Sequence, residues 1–135
     1  MKYRVLAKPL VVCQLAPDAS IPECVSNSEF FCATRASDEL SIVCMEEVCG
    51  EEFRADDQSP APARVERGWI ALKLEGPFPF SMTGVLASFL DPLAEAAIPI
   101  FAISTFDTDY VLIKRENLER ARTALLAAGH EEGTR

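Results

Sequence analysis

The feature that most constrains this chain is a gapless match of the sequence to itself. At an offset of 70 positions, 101 minus 31 being 70, Phe31–Val43 lies over Phe101–Ile113. Each segment reads as an apolar run, a polar break at Ala36–Asp38 or Phe106–Thr108, an acidic residue (Glu39 or Asp109) and a second apolar run. That pattern predicts strand, turn, strand in both places. The same offset pairs Pro9 with Pro79 and Pro22 with Pro92. Two proline matches in the register of a hairpin match imply duplication of one supersecondary unit. With 135 residues, 49% of them hydrophobic, the chain has room for one good core or two small coupled ones.

Between the copies, Gly50–Ala63 combines acidic residues with two prolines, a linker composition. The expected modules are residues 1–62, linker included, and residues 63–135. The second is the more regular. Trp69–Glu75 reads as a strand and Gly76–Phe80 as a turn stiffened by prolines. Ser81 or Thr83 can cap the next helix, where Val85, Phe89 and Leu93 recur at helical spacing and Pro92 interrupts the hydrogen-bond ladder. Ile98–Thr105 and Asp109–Lys114 are the next strands. A closing helix puts Leu118, Ala121, Leu125 and Ala128 on one face, spaces Glu116 and Arg120 for an ion pair, and stops at Gly129.

This βαββα order lacks the last strand of a ferredoxin-like βαββαβ unit. The tail His130–Arg135 is too short and polar to be a buried strand, so a strand from the first module is expected to fill that edge. In the first module the helical slot, Pro17–Ser26, carries two prolines and little periodicity, and that copy is expected to be degenerate there.

Three pieces of the stretch Gly76–Gly129 resemble the ACT domain: the loop Pro77–Gly84 that opens a helix, the strand and turn Ile98–Tyr110 with its core Ser104–Asp109, and the closing helix Glu116–Ala128. Within that family the chain is most similar to small two-ACT proteins related to aspartate kinase regulatory domains and to the CASTOR arginine sensors. The resemblance implies an α+β fold of two ferredoxin-like (βαββαβ) ACT modules in tandem, with antiparallel sheets packed on helices. It also implies a non-catalytic regulatory or sensor role, with a free amino acid bound at an ACT interface. The alternative it leaves open is an ACT-type interaction or dimerisation module without a metabolite.

The residues themselves support such a site. An amino acid presents a carboxylate and an ammonium. Leading N–H groups of a helix lack internal partners and attract anions. The loop Ser81, Met82, Thr83, Gly84 and Val85 supplies them, Gly84 permitting close backbone approach. Asp107 and Asp109 can accept from a cation, with the hydroxyls of Ser104, Thr105 and Thr108 beside them. Phe106 belongs to the same turn, and the resemblance selects the segments Ser81–Val85 and Ser104–Asp109. Each residue also has a plainer reading: Ser81 and Thr83 as caps, Asp107 as a turn-shaping residue.

Charge and composition narrow the partners. The net charge of -8 leaves no basic patch for phosphates, so neither nucleic acid nor an anionic membrane is expected. No apolar stretch approaches a membrane span, and Met1–Leu6 carries charges where a leader would be apolar. A cytoplasmic location follows as the expectation. Five cysteines without a CxxC, together with a single histidine in the tail, lack metal or disulfide spacing and read as buried thiols in a reducing compartment. No cofactor, no metal and no catalytic residue are expected, since no nucleophile, base or phosphate-binding pattern is assembled. A homodimer and a regulated enzyme are the expected protein partners.

Overall fold

The computed structural model describes residues 1–49 and 64–133, so the expected linker Gly50–Ala63 lies outside the described residues. The chain forms two compact units: Lys8–Trp69, and Met1–Ala7 together with Ile70–Arg135. Both contain antiparallel sheet and helix. Among the described residues no helix is long and apolar enough to cross a membrane.

In the unit Lys8–Trp69, strand β1 (Lys2–Leu15) pairs antiparallel with β3 (Leu40–Met45), from Leu10 opposite Met45 to Leu15 opposite Leu40. Strand β2 (Phe31–Arg35) pairs with β3 on its other side. Successive strand residues point to opposite faces, so Val11, Cys13 and Leu15 enter one core with Leu40, Ile42 and Cys44. The helix over that core is the single turn α1 (Glu23–Ser26), which contributes Cys24 and Val25. A second short helix, α2 (Glu46–Cys49), follows β3. It carries the acidic pair: Glu47 bonds Lys8 at 3.0 Å and Glu46 accepts the Gly68 N–H at 3.2 Å.

Cys13, Cys24 and Cys44 are buried and Cys32 is half-buried. Burial, and then the neighbouring Cys24, pushes the Cys13 thiol up from near 9 to about 11. Because the thiolate is the nucleophile, native Cys13 should resist alkylation at pH 8, when roughly one thiol in a thousand is ionised, and react once the chain unfolds. Mass spectrometry of iodoacetamide-treated native protein checks this, and rapid labelling of Cys13 would refute it. The linkage sign follows. The unfolded thiol ionises near pH 9 while the folded one holds its proton to about 11, so this group's contribution is complete below pH 9 and is lost as the pH rises toward 11.

In the other unit the strand order is β1-β4-β6-β5, with β4 at Arg64–Leu74, β5 at Phe101–Ser104 and β6 at Asp109–Lys114. The start of β1 therefore occupies the edge that the βαββα sequence pattern left empty, and the Glu75 N–H donates to the Lys2 carbonyl at 3.0 Å. Helices α3 (Val85–Glu95) and α4 (Leu118–Ala127) supply Phe89, Leu93, Ala121 and Leu125 to a core shared with Leu72, Leu74, Val111, Ile113 and Tyr3. The Tyr3 and Phe89 rings meet edge to face at 5.4 Å. A 3-10 turn, Arg115–Asn117, leads into α4.

Four expectations are corrected here. The hairpins correspond at an offset of 69, not 70: Ala36 N–H to Glu39 carbonyl and Thr105 N–H to Thr108 carbonyl, both 2.8 Å, close four-residue turns of the same kind, and 105 minus 36 is 69. Glu39 thus answers Thr108, and Asp109 answers Leu40. Helix α3 has no side-chain cap from Ser81 or Thr83. Its N-cap is Gly84 in the left-handed region at φ 76°, a conformation that glycine adopts without penalty. The space around Gly84 is open, so Gly84→Ala should cost only the backbone strain, about 1 kcal/mol by urea denaturation. A loss of several kcal/mol would show that the space there is occupied. Arg120 bonds Asn117 and the Ala96 carbonyl in place of Glu116, while Arg122 takes the ion pairs, to Glu119 at 2.6 Å and Glu132 at 2.7 Å.

The fourth correction concerns His130 alone, since both residues of the tail strand described next are exposed, as its polarity implies. His130 is buried, 6% exposed, and a two-residue strand β7 (Glu131–Glu132) pairs with Lys2 and Tyr3 of β1. The cause lies in α3. Pro92 has no N–H, so the carbonyl of Ser88, four residues earlier, has no helical donor. His130 Nε2 meets that carbonyl at 3.0 Å, and Nδ1 faces the Met1 ammonium at 3.1 Å. A carbonyl only accepts and an ammonium only donates, which assigns the neutral Nε2–H tautomer.

Candidate functional site

The unit containing the closing helix presents a clamp between a loop and a turn. Antiparallel β5 and β6 end with Ser104 opposite Asp109, joined by Thr105–Thr108. The Thr105 hydroxyl lies 3.1 Å from the Thr108 carbonyl and 3.3 Å from the Thr108 N–H, bracing the turn from inside. Thr108 is buried, and its hydroxyl donates to the Leu74 carbonyl at 2.6 Å, anchoring the turn to β4. The Phe78 N–H then donates to the Asp107 carbonyl at 2.8 Å, which fixes the Pro77–Phe80 loop on the turn.

Glycine makes that contact possible. A Cβ at Gly76 would stand 2.7 Å from the Asp107 carbonyl oxygen and 3.1 Å from the Phe78 nitrogen, both backbone atoms that cannot swing aside. Gly76→Ala should therefore be clearly worse than Gly84→Ala, by about 1–3 kcal/mol in urea unfolding. Equal costs would mean that the loop does not rest on the turn.

Between loop and turn opens a cleft of about 310 Å³ lined by Pro77, Phe78, Pro79, Phe80, Phe106 and Asp107. Phe80 and Phe106 pack edge to face, centroids 4.7 Å apart, yet remain 76% and 78% exposed. Of the ten residues selected from sequence, Phe106 and Asp107 line this cleft. Ser81, Met82 and Thr83 are exposed in the stretch that runs on to α3, Gly84 is its N-cap and Val85 its first residue. Thr105 braces the turn, and Ser104 donates to the Asp109 carboxylate at 2.5 Å, engaging both in a cross-strand pair. What meets the turn is the stretch Pro77–Phe80, just before the selected segment Ser81–Val85. The signal was present in the alternation Pro-Phe-Pro-Phe, which places aromatic rings on a stiff loop.

A second groove of about 390 Å³ is lined by Ala96, Glu119, Arg120, Thr123 and Ala124. Its guanidinium is already bonded to Asn117 and the end of α3. Among the described residues no cluster of three or more histidine, cysteine, aspartate or glutamate side chains is arranged to hold a metal ion. His130, with both ring nitrogens engaged, acts as a structural bridge.

Comparison with known proteins agrees with this architecture. Residues 64–127 match the family model of the ACT domain, and a separate model for an N-terminal domain matches residues 10–52. The human protein CASTOR3P is 31% identical in an alignment 97 positions long that covers 67% of this chain and 57% of that protein, so the chain spans little more than half the length of that relative. A crystal structure of an Agobacterium tumefaciens protein superposes with a TM-score of 0.81 at 34% identity, covering 98% of this chain and 91% of that one. The ligand-free regulatory subunit of aspartate kinase from Thermus thermophilus shares the fold, with a TM-score of 0.64, 14% identity and coverage of 93% and 97%. The chain belongs to the ACT-domain family through residues 64–127, it is similar in sequence to CASTOR3P, and it shares its fold with an aspartate kinase regulatory subunit.

Proposed function

We propose that the chain is a non-catalytic regulatory or sensor protein whose signal is a free amino acid, taken up where the Pro77–Phe80 loop meets the Phe106–Asp107 turn. The observation that carries this reading is the clamp itself. A buried threonine, a backbone hydrogen bond and an obligatory glycine hold in place a cleft whose aromatic rings are left bare, within the residues that match the ACT domain. Apolar side chains fixed in an exposed position generally mark a binding surface. The regulatory role of the aspartate kinase subunit of similar fold points the same way. The unit Lys8–Trp69 is read as a degenerate copy of the same module, on the strength of the matching hairpin turns.

A thermal-shift screen against the natural amino acids and their N-methylated forms tests the reading. A ligand at a hundred times its dissociation constant stabilises the native state by ~2.7 kcal/mol, several degrees for a protein this small. The exposed group Phe80, Met82 and Phe106 favours the second reading, a protein-interaction module joining two copies or docking on an enzyme. A flat screen combined with a stable dimer in solution would decide for it.

A further inference from the structure

We infer that the ligand held in this cleft carries a quaternary or N-methylated ammonium group. The inference rests on the reading of the cleft as a ligand site and narrows its chemistry to the nitrogen end of the ligand. The lining offers three phenylalanine rings, two prolines and one carboxylate, with no basic side chain among them. Aromatic faces carry the negative lobe of the ring quadrupole and attract cations, most strongly where water is excluded. Asp107 supplies the opposite charge, and its carboxylate has no partner among the described residues.

Hydrogen-bond supply then selects the kind of cation. A primary ammonium brings three donors and needs three acceptors. Here the Asp107 carbonyl is taken by the Phe78 N–H and the Pro79 carbonyl by the Met82 N–H at 3.0 Å, leaving the carboxylate as the one side-chain acceptor of the lining. To lie against the rings a primary ammonium must give up hydrogen bonds to water, which one side-chain carboxylate replaces only in part, at a cost for each. A trimethylammonium has no donors, presents methyl groups to the rings and keeps its charge for Asp107. The cleft volume of about 310 Å³ exceeds such a head group, so the rest of a small molecule, such as the carboxymethyl arm of an N-methylated amino acid, also fits.

The test is a 1H–15N correlation titration of the full chain with glycine betaine, glycine, choline and 3,3-dimethylbutan-1-ol, the last being the uncharged shape-match of choline. Betaine and choline should shift the amides of Phe78, Phe80, Phe106 and Asp107, and the neutral alcohol should bind at least tenfold more weakly than choline. Phe106→Leu, tolerable at an exposed position, should weaken betaine binding by roughly tenfold, and Asp107→Asn by several-fold. Equal binding of choline and the alcohol would reduce the cleft to an apolar dent and overturn the inference. If glycine or another primary amino acid shifts these amides and neither quaternary ammonium does, the inference falls while the amino-acid reading stands. If nothing shifts them, both fall.

Discussion

Replacing His130 with alanine should lower stability by about 2–3 kcal/mol and the melting temperature by about 10 °C, a large effect for a residue so near the end of the described chain. The side chain fills space against Phe89, with ring centroids 5.3 Å apart, and it also ends two polar groups. Its loss leaves the Ser88 carbonyl without a donor, because Pro92 cannot provide one. A second substitution exposes this logic: Pro92→Ala restores an N–H four residues after Ser88. In the His130→Ala background it should recover more stability than it gains in the native protein, a coupling of about 0.5–1 kcal/mol in a double-mutant cycle. Strict additivity would show that His130 acts only by filling volume.

A fragment of residues 65–135 should give no cooperative melt. It contains the whole segment that matches the ACT-domain model apart from its first residue, yet it lacks Met1–Ala7. It therefore loses Tyr3 from the core beside Phe89, the Lys2 carbonyl that receives the Glu75 N–H, the β1 partner of β7, and the Met1 ammonium at His130. Burial of one large aromatic residue plus several hydrogen bonds amounts to roughly 5 kcal/mol, comparable with the whole stability of a small domain. Circular dichroism on heating decides the matter. A sharp transition at the melting temperature of the full chain would contradict the account, and recovery of the transition on adding a Met1–Ala7 peptide would support it.

Local patterning made much of this fold legible. The apolar runs of β4 and β6, buried at Trp69–Leu72 and Val111–Ile113, and the helical spacing of Phe89 and Leu93 are features that a sequence displays directly. The empty sheet edge was legible as well, because a βαββα unit with a polar tail leaves hydrogen-bonding groups that some strand must satisfy. The offset differs by one because prolines and aromatic residues align at 70 whereas backbone turns close at 69, and side-chain identity is a weaker constraint than the hydrogen bond from Thr105 to Thr108. Nothing local shows that His130 is buried, because its partners, Ser88 and Met1, are distant in sequence. The proline that creates the need sits in a different element from the residue that answers it. At the candidate site, Asp107 and Phe106 were legible as turn residues. The Pro77–Phe80 loop reads from sequence only as part of a stiff turn, since nothing local shows that Gly76 lets it settle on Phe106–Asp107.

The central claim is that an amino acid binds at the clamp of Phe78, Phe80, Phe106 and Asp107. Its most direct test is the 1H–15N correlation spectrum of the full chain, recorded with each natural amino acid and each N-methylated form in turn. The account predicts saturable shifts from at least one of them, concentrated at Gly76–Phe80 and Thr105–Thr108 and abolished or strongly weakened by Phe106→Leu. Spectra unchanged by every compound, or shifts confined to Lys8–Trp69, would contradict it.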